Sequence, residues 1–178
     1  MQLSPDTAMM MRGMLLGGAE REQVTTSKVI AAIPDQNHDY KPDDKSKTAM
    51  ELAEHIATVD CWFLDSIAAG AFSPESMMKP PAGTATGAQM SAWYNEQFKA
   101  SAAKIKAMDA DALMKVVDFF GMMQMPAVTI LTLMNNHMIH HRGQLSTYLR
   151  AMGGKCPSIY GPSADEEVTR PAAAAAAE

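Results

Sequence analysis

Between Asn136 and Leu145 the chain reads Asn-His-Met-Ile-His-His-Arg-Gly-Gln-Leu, placing three of its five histidines within five consecutive residues. At about 100° per residue, positions four apart are offset by only ~40°, so His137 and His141 stack on one face of a helix. Ile130, Met134, Tyr148 and Met152 fall within ~60° of them, which makes that face apolar and predicts that it is buried. Two imidazoles in a dry interior are costly without partners. One divalent metal shared between them satisfies both, as in two-histidine helical motifs generally. Met138, not Glu, follows His137, so this is not the zinc-protease arrangement. The rest of the chain must therefore bring a second helix against this one.

The order of capping and breaking residues supplies such helices. Ser4-Pro5 predicts a first helix to about Ala32, stopped by Pro34, with Gly17-Gly18 as its weak point. Residues 34 to 47 carry turn chemistry and read as a surface loop anchored by Tyr40, with His38 exposed. Ser46 and Thr48 open a second helix to about Ala69, whose stripe is Leu52, Ile56, Val59, Phe63 and Ile67. Gly70, Pro74, Pro80, Pro81, Gly83 and Gly87 mark a long connection, expected to be a crossover or a lid. A third helix spans about 88 to 108. Residues 112 to 120, capped by Asp109 or Asp111, fit a short helix, and Val116–Phe120 fits a short strand equally well. The last helix runs from about Pro126 to Met152, with Thr132, Asn135, Arg142, Ser146 and Arg150 opposite the histidines and Gly153-Gly154 as its C-terminal stop. Methionine is abundant, at 17 residues, and suits packing between helices.

A helical pair needs a third ligand. His55 is the other histidine at the edge of a core stripe, whereas Cys61 points away from it. His140, offset by about 100° from His141, competes for the second place or stands behind it. Glu51, one turn before His55, reads either as a further ligand or ring partner, or as a solvated first-turn carboxylate. Three neutral imidazoles would leave a metal its full charge and open positions, the catalytic arrangement and not the closed structural one.

Composition narrows the function classes. At 178 residues, 47% hydrophobic and 20% charged, the chain is long enough for one well-filled domain. Its net charge is −5 with no basic stripe, which argues against a nucleic-acid partner. Two cysteines do not make a disulfide framework. The amino terminus lacks the charge pattern of a signal peptide, and no apolar run reaches the ~18 residues of a membrane span. A reducing cytoplasm is the expected compartment.

The run His137 to Gln144, followed by Ser-Thr-Tyr-Leu-Arg-Ala-Met-Gly, resembles the C-terminal signature of the DinB/YfiT-like metalloenzymes. Ile33-Pro34, Asp39-Tyr40-Lys41-Pro42, Ser46 and Leu52-Ala53-Glu54-His55-Ile56 are similar to the family's earlier region. The resemblance covers about residues 20 to 155 and implies an all-α four-helix bundle of up-down-down-up topology, taken as one domain over 1–160. Composition alone marks 161–178 as a polar, alanine-rich tail expected to be poorly ordered. It implies His55, His137 and His141 as ligands of nickel or zinc, which demotes His140, and a homodimer. The activity it implies is transfer of a small thiol to an electrophile. Tyr148 is then a candidate proton donor or substrate contact, with packing as its ordinary alternative. Three further readings stand beside the transferase: a non-catalytic metal-binding or stress-associated bundle, a metal-dependent hydrolase using a metal-bound water, and a histidine-bearing core with no metal at all.

Overall fold

The computed structural model describes residues 3–166. Its first helix, α1 (Pro5–Ala31), starts where Ser4 Oγ accepts the N–H of Thr7 and Pro5 occupies the first turn. The second, α2 (Ala49–Ala69), opens on a capping box in which Thr48 and Glu51 each bond the other's backbone N–H. It closes on Gly70 at φ 71°, with the N–H of Ala71 donating to the carbonyl of Ser66. A second capping box, Thr86 with Gln89, opens α3 (Gly87–Ala107). After a five-residue α4 (Ala110–Met114) capped by Asp109, two short antiparallel strands lead into α5 (Ala127–Ala151). At its far end the N–H groups of Gly153 and Gly154 donate to the carbonyls of Arg150 and Leu149, the double bond of a Schellman stop.

The four long helices form a ring in which α1 and α2 each pack against both α3 and α5. Side-chain pairs fix their directions. Ser27 meets Ser91 while Arg12 reaches the carbonyl of Met108, so α1 and α3 are antiparallel. Asp60 meets Tyr94 and Asp65 meets Lys104, so α2 and α3 are parallel. His55 meets His141 and Asp60 meets His137, so α2 and α5 are antiparallel. Glu22 pairs with Arg142, and Gly18 faces Asn135 earlier in both helices, so α1 and α5 are parallel. The bundle is therefore up-down-down-up, and residues 70 to 86 are the crossover that parallel neighbours require. Its interior is a continuous apolar core that includes Ile30, Ile56, Leu64, Ile67, Ile105 and Leu131, each at most 1% exposed. Burial of each such side chain contributes about 1.5–3 kcal/mol. Among the described residues no helix is long and apolar enough to cross a membrane.

The crossover returns through a tight contact. A Cβ on Gly87 would lie 2.3 Å from the carbonyl oxygen of Ile30 and 2.9 Å from Cβ of Ile33. Backbone cannot yield as a flexible side chain can, so Gly87→Ala is expected to lower stability by about 1–3 kcal/mol, read as a fall in the urea midpoint at unchanged slope.

Residues 110–126 combine the two alternatives legible in the sequence. Ala110–Met114 is helical, and β1 (Val116–Phe119) pairs with β2 (Met123–Pro126). The turn between them holds Phe120 at φ 53° and Gly121 at φ 70°. Glycine takes that conformation freely, whereas phenylalanine does so only when neighbours hold it there. The ring of Phe120 stacks on Trp62, and Phe119 stacks on Phe63. Residues 161–166 lie within the described chain, where Asp165 accepts from Arg150 and from the N–H of Cys156. The rest of the expected tail, 167–178, lies outside the described residues.

Candidate metal centre

The antiparallel packing of α2 on α5 brings His55, His137 and His141 together. Nε2 of His55 lies 3.1 Å from Nε2 of His137 and 3.2 Å from Nε2 of His141. All three rings are half-buried, and their ligand atoms lie within 4.8 Å of one another. The outer nitrogens of two rings are occupied. His137 Nδ1–H donates to Asp60 Oδ1 at 3.0 Å, and His141 Nδ1–H donates to Gln144 Oε1 at 2.7 Å. Both rings therefore turn an Nε2 lone pair inward. His55 has one Nε2 proton at most, so only one of its two contacts can be a hydrogen bond; the other sets lone pair against lone pair. A cation resolves that conflict. With metal–nitrogen bonds of about 2.0–2.1 Å, ligand nitrogens stand about 2.9–3.4 Å apart for angles between octahedral and tetrahedral. The two separations from His55 fall in that range, and the third pair lies within 4.8 Å.

Asp60 is fully buried, with Tyr94 O–H donating to its Oδ2 at 2.7 Å. Burial pushes its pKa upward, and the bonds from His137 and Tyr94 oppose that push. Tyr94, also fully buried, is raised well above an ordinary tyrosine by burial and by the Asp60 charge. Carboxylate–imidazole pairs of this kind fix ring tautomer and direction, and losing one costs ligand sites about 10–100-fold in metal affinity. Asp60→Asn is expected to weaken zinc binding by that factor, measured by competition with a chromophoric chelator; unchanged affinity would remove Asp60 from the site's support.

Burial and the neighbouring imidazole charges lower the pKa of His55 to about 4, and burial likewise lowers that of His141. Both rings are thus neutral, and able to ligate, at neutral pH. In the metal-free protein the sign follows from linkage. Below pH 6.5 the unfolded histidine takes up a proton that folded His55 still refuses, so stability present at higher pH is lost as pH falls towards 4. Urea midpoints at pH 7.5 and pH 5.0 should show this loss, and it should shrink in His55→Gln.

The remaining candidates separate cleanly. His140 is exposed beside His141, with ring centroids 4.8 Å apart, and lies outside the three-histidine group. Glu51 is spent on the α2 capping box. Cys61 is buried, with its thiol pKa raised by burial. His38 is an exposed loop residue bonded to the carbonyl of Asp35. Tyr148 is buried, its ring edge-on to Tyr40 with centroids 5.6 Å apart. Asp60 and Gln144 escaped the sequence reading. The signal for Asp60 was a lone carboxylate inside the run Ile56 to Leu64, which is otherwise apolar apart from Thr58; a buried acid there needs partners.

The site opens along α2. A hollow of ≈ 260 Å³ is lined by Lys47, Glu51, Glu54, His55 and Thr58. A second, of ≈ 410 Å³, shares Glu54 and Thr58 and is walled by Pro74, Met77 and Met78. Trp62 holds that wall in place, its indole N–H donating to the carbonyl of Ser73 at 2.8 Å. On the inner side Phe63 lies 5.9 Å from His137 between ring centroids, and Phe72 and Phe119 pack on it.

Comparison with known proteins agrees with this architecture. The Bacillus subtilis protein YjoA is 28% identical over 128 residues, spanning 72% of this chain and 82% of its own length. The B. subtilis protein YrdA is 35% identical over 74 residues, 41% of this chain and 44% of its own. The crystal structure of YjoA, described as DinB-like, superposes with a TM-score of 0.69 at 23% identity, covering 84% of this chain and 99% of that one. A DinB-like protein from Bacillus cereus gives 0.69 at 22% identity, covering 90% and 100%. At those identities the structures speak for the fold. The sequence profile described as "DinB family" matches residues 10–171, nearly the whole length, and the chain belongs to the DinB family.

Proposed function

We propose that the chain is a metal-dependent thiol S-transferase in which His55, His137 and His141 hold one zinc or nickel ion. The observation that carries the reading is the convergence of three Nε2 atoms, two of them turned inward by Asp60 and Gln144. An ion held there supplies Lewis acidity that favours the thiolate form of a thiol at neutral pH. In the overall reaction a carbon–sulfur bond forms as the bond from that carbon to its leaving group breaks, and the thiol proton departs with the leaving group. The protein's own part is positioning. Asp60 and Gln144 hold the imidazoles, and Phe63 and its aromatic neighbours keep water from the inner side. The wall formed by Pro74, Met77 and Met78 borders the side from which the electrophile approaches. Tyr148 packs edge-on against Tyr40, and no step of this reading is assigned to it. The same reading takes the protein as a cytoplasmic homodimer, with Cys61 and Cys156 as free thiols.

Metal analysis of untagged protein, followed by a panel of small thiols and electrophiles on wild type and His141→Ala, tests it. Bound metal with turnover that falls at least about 100-fold in the variant is expected. Bound metal with no turnover for any pair would favour storage or sequestration, and absence of bound metal would remove both.

A further inference from the structure

Two opposite charges face the hollow beside His55 without partners. Neither Lys47 nor Glu54 has an ion-pair partner within 4.0 Å among the described residues. Glu51, the other carboxylate there, is already bonded to the N–H of Thr48. Lys47, on the loop before α2, lines the same hollow as His55. Glu54 sits at the junction of the two hollows, next to His55 in sequence and lining both. A positive and a negative group flanking a concave surface, each unspent, complement a ligand bearing the reverse pair.

We propose that this hollow is a head-group pocket for a thiol carrying a free ammonium and a free carboxylate close to its sulfur, with Glu54 receiving the ammonium and Lys47 the carboxylate. The assignment rests on the thiol reading above and adds which thiols the site selects. A cysteinyl unit suits the ≈ 260 Å³ hollow, with its sulfur towards the imidazoles. The adjoining ≈ 410 Å³ hollow along Met77 and Met78 is left to the electrophile.

The test uses protein loaded with Co(II), whose visible spectrum reports ligand binding without turnover, titrated with cysteine, cysteamine, 3-mercaptopropionate and 2-mercaptoethanol. Cysteine should bind about tenfold more tightly than 2-mercaptoethanol, with the two singly charged thiols between them. Glu54→Gln should weaken cysteine and cysteamine about three- to fivefold, the range for an exposed charge pair, and leave 3-mercaptopropionate unchanged. Lys47→Met should do the converse, weakening cysteine and 3-mercaptopropionate alone. Equal binding of all four thiols, or variants that shift them all alike, would overturn the pocket while the thiol reading stands. A cobalt spectrum that no thiol perturbs would overturn the thiol reading and the pocket with it.

Discussion

His141→Ala is expected to lower affinity for one equivalent of Zn(II) by on the order of 10²–10³-fold while leaving the bundle folded. Tetrahedral zinc sites gain about 10–16 kcal/mol, so each ligand accounts for about 3–4 kcal/mol. His141 is the clean choice because its outer partner, Gln144, is exposed and loses nothing when released. His137→Ala removes a proposed ligand too, but it also strips Asp60, fully buried, of its imidazole. That variant should lose stability as well as metal, because a buried carboxylate short of partners is costly. Chelator competition gives the first effect and urea unfolding of the metal-free proteins separates the second. Equal stability of the two variants would mean that Asp60 does not depend on His137.

The largest effect on stability alone is expected from Glu22→Gln, at about 3–5 kcal/mol. Arg142 is 1% exposed, and its guanidinium meets Glu22 Oε2 at 2.6 Å and the hydroxyl of Tyr160 at 2.6 Å. Tyr160 O–H donates to the same Glu22 oxygen at 2.9 Å, closing a triangle between α1, α5 and the segment after α5. Removing the carboxylate charge leaves a buried cation without its counter-ion, which costs far more than an exposed pair is worth. Tyr160→Phe, which keeps the ion pair, should cost about 1 kcal/mol. Urea denaturation of both decides it; a loss below 1 kcal/mol in Glu22→Gln would show that water reaches Arg142 on removal of the charge.

Local chemistry made much of this molecule readable from its residues. Ser4, Thr48 and Gly153 mark helix ends because capping is decided within a few positions. His137 and His141 could be paired from helical spacing alone, and His55 followed from its stripe. The crossover was legible as a long proline- and glycine-rich connection. What could not be read depends on contacts distant in sequence. Arg142 and Glu22 are 120 residues apart, and nothing near either announces the other. Asp60 sits off the face that carries His55, so a wheel drawn on α2 alone hides its role. The hairpin escaped because its turn places Phe120, and not Asn or Gly, at the first left-handed position, where Trp62 holds it. Gly87 read as part of the connection, although the fold needs it for the approach of α3 to the end of α1.

In the proposed site three imidazoles from two helices share one cation. X-ray absorption at the zinc edge of protein loaded with one equivalent tests it most directly. Imidazole scattering fitted by three nitrogens at about 2.0–2.1 Å is expected, reduced to two in His141→Ala. A zinc spectrum without imidazole scattering, or one that His55→Ala, His137→Ala and His141→Ala all leave unchanged, would contradict it.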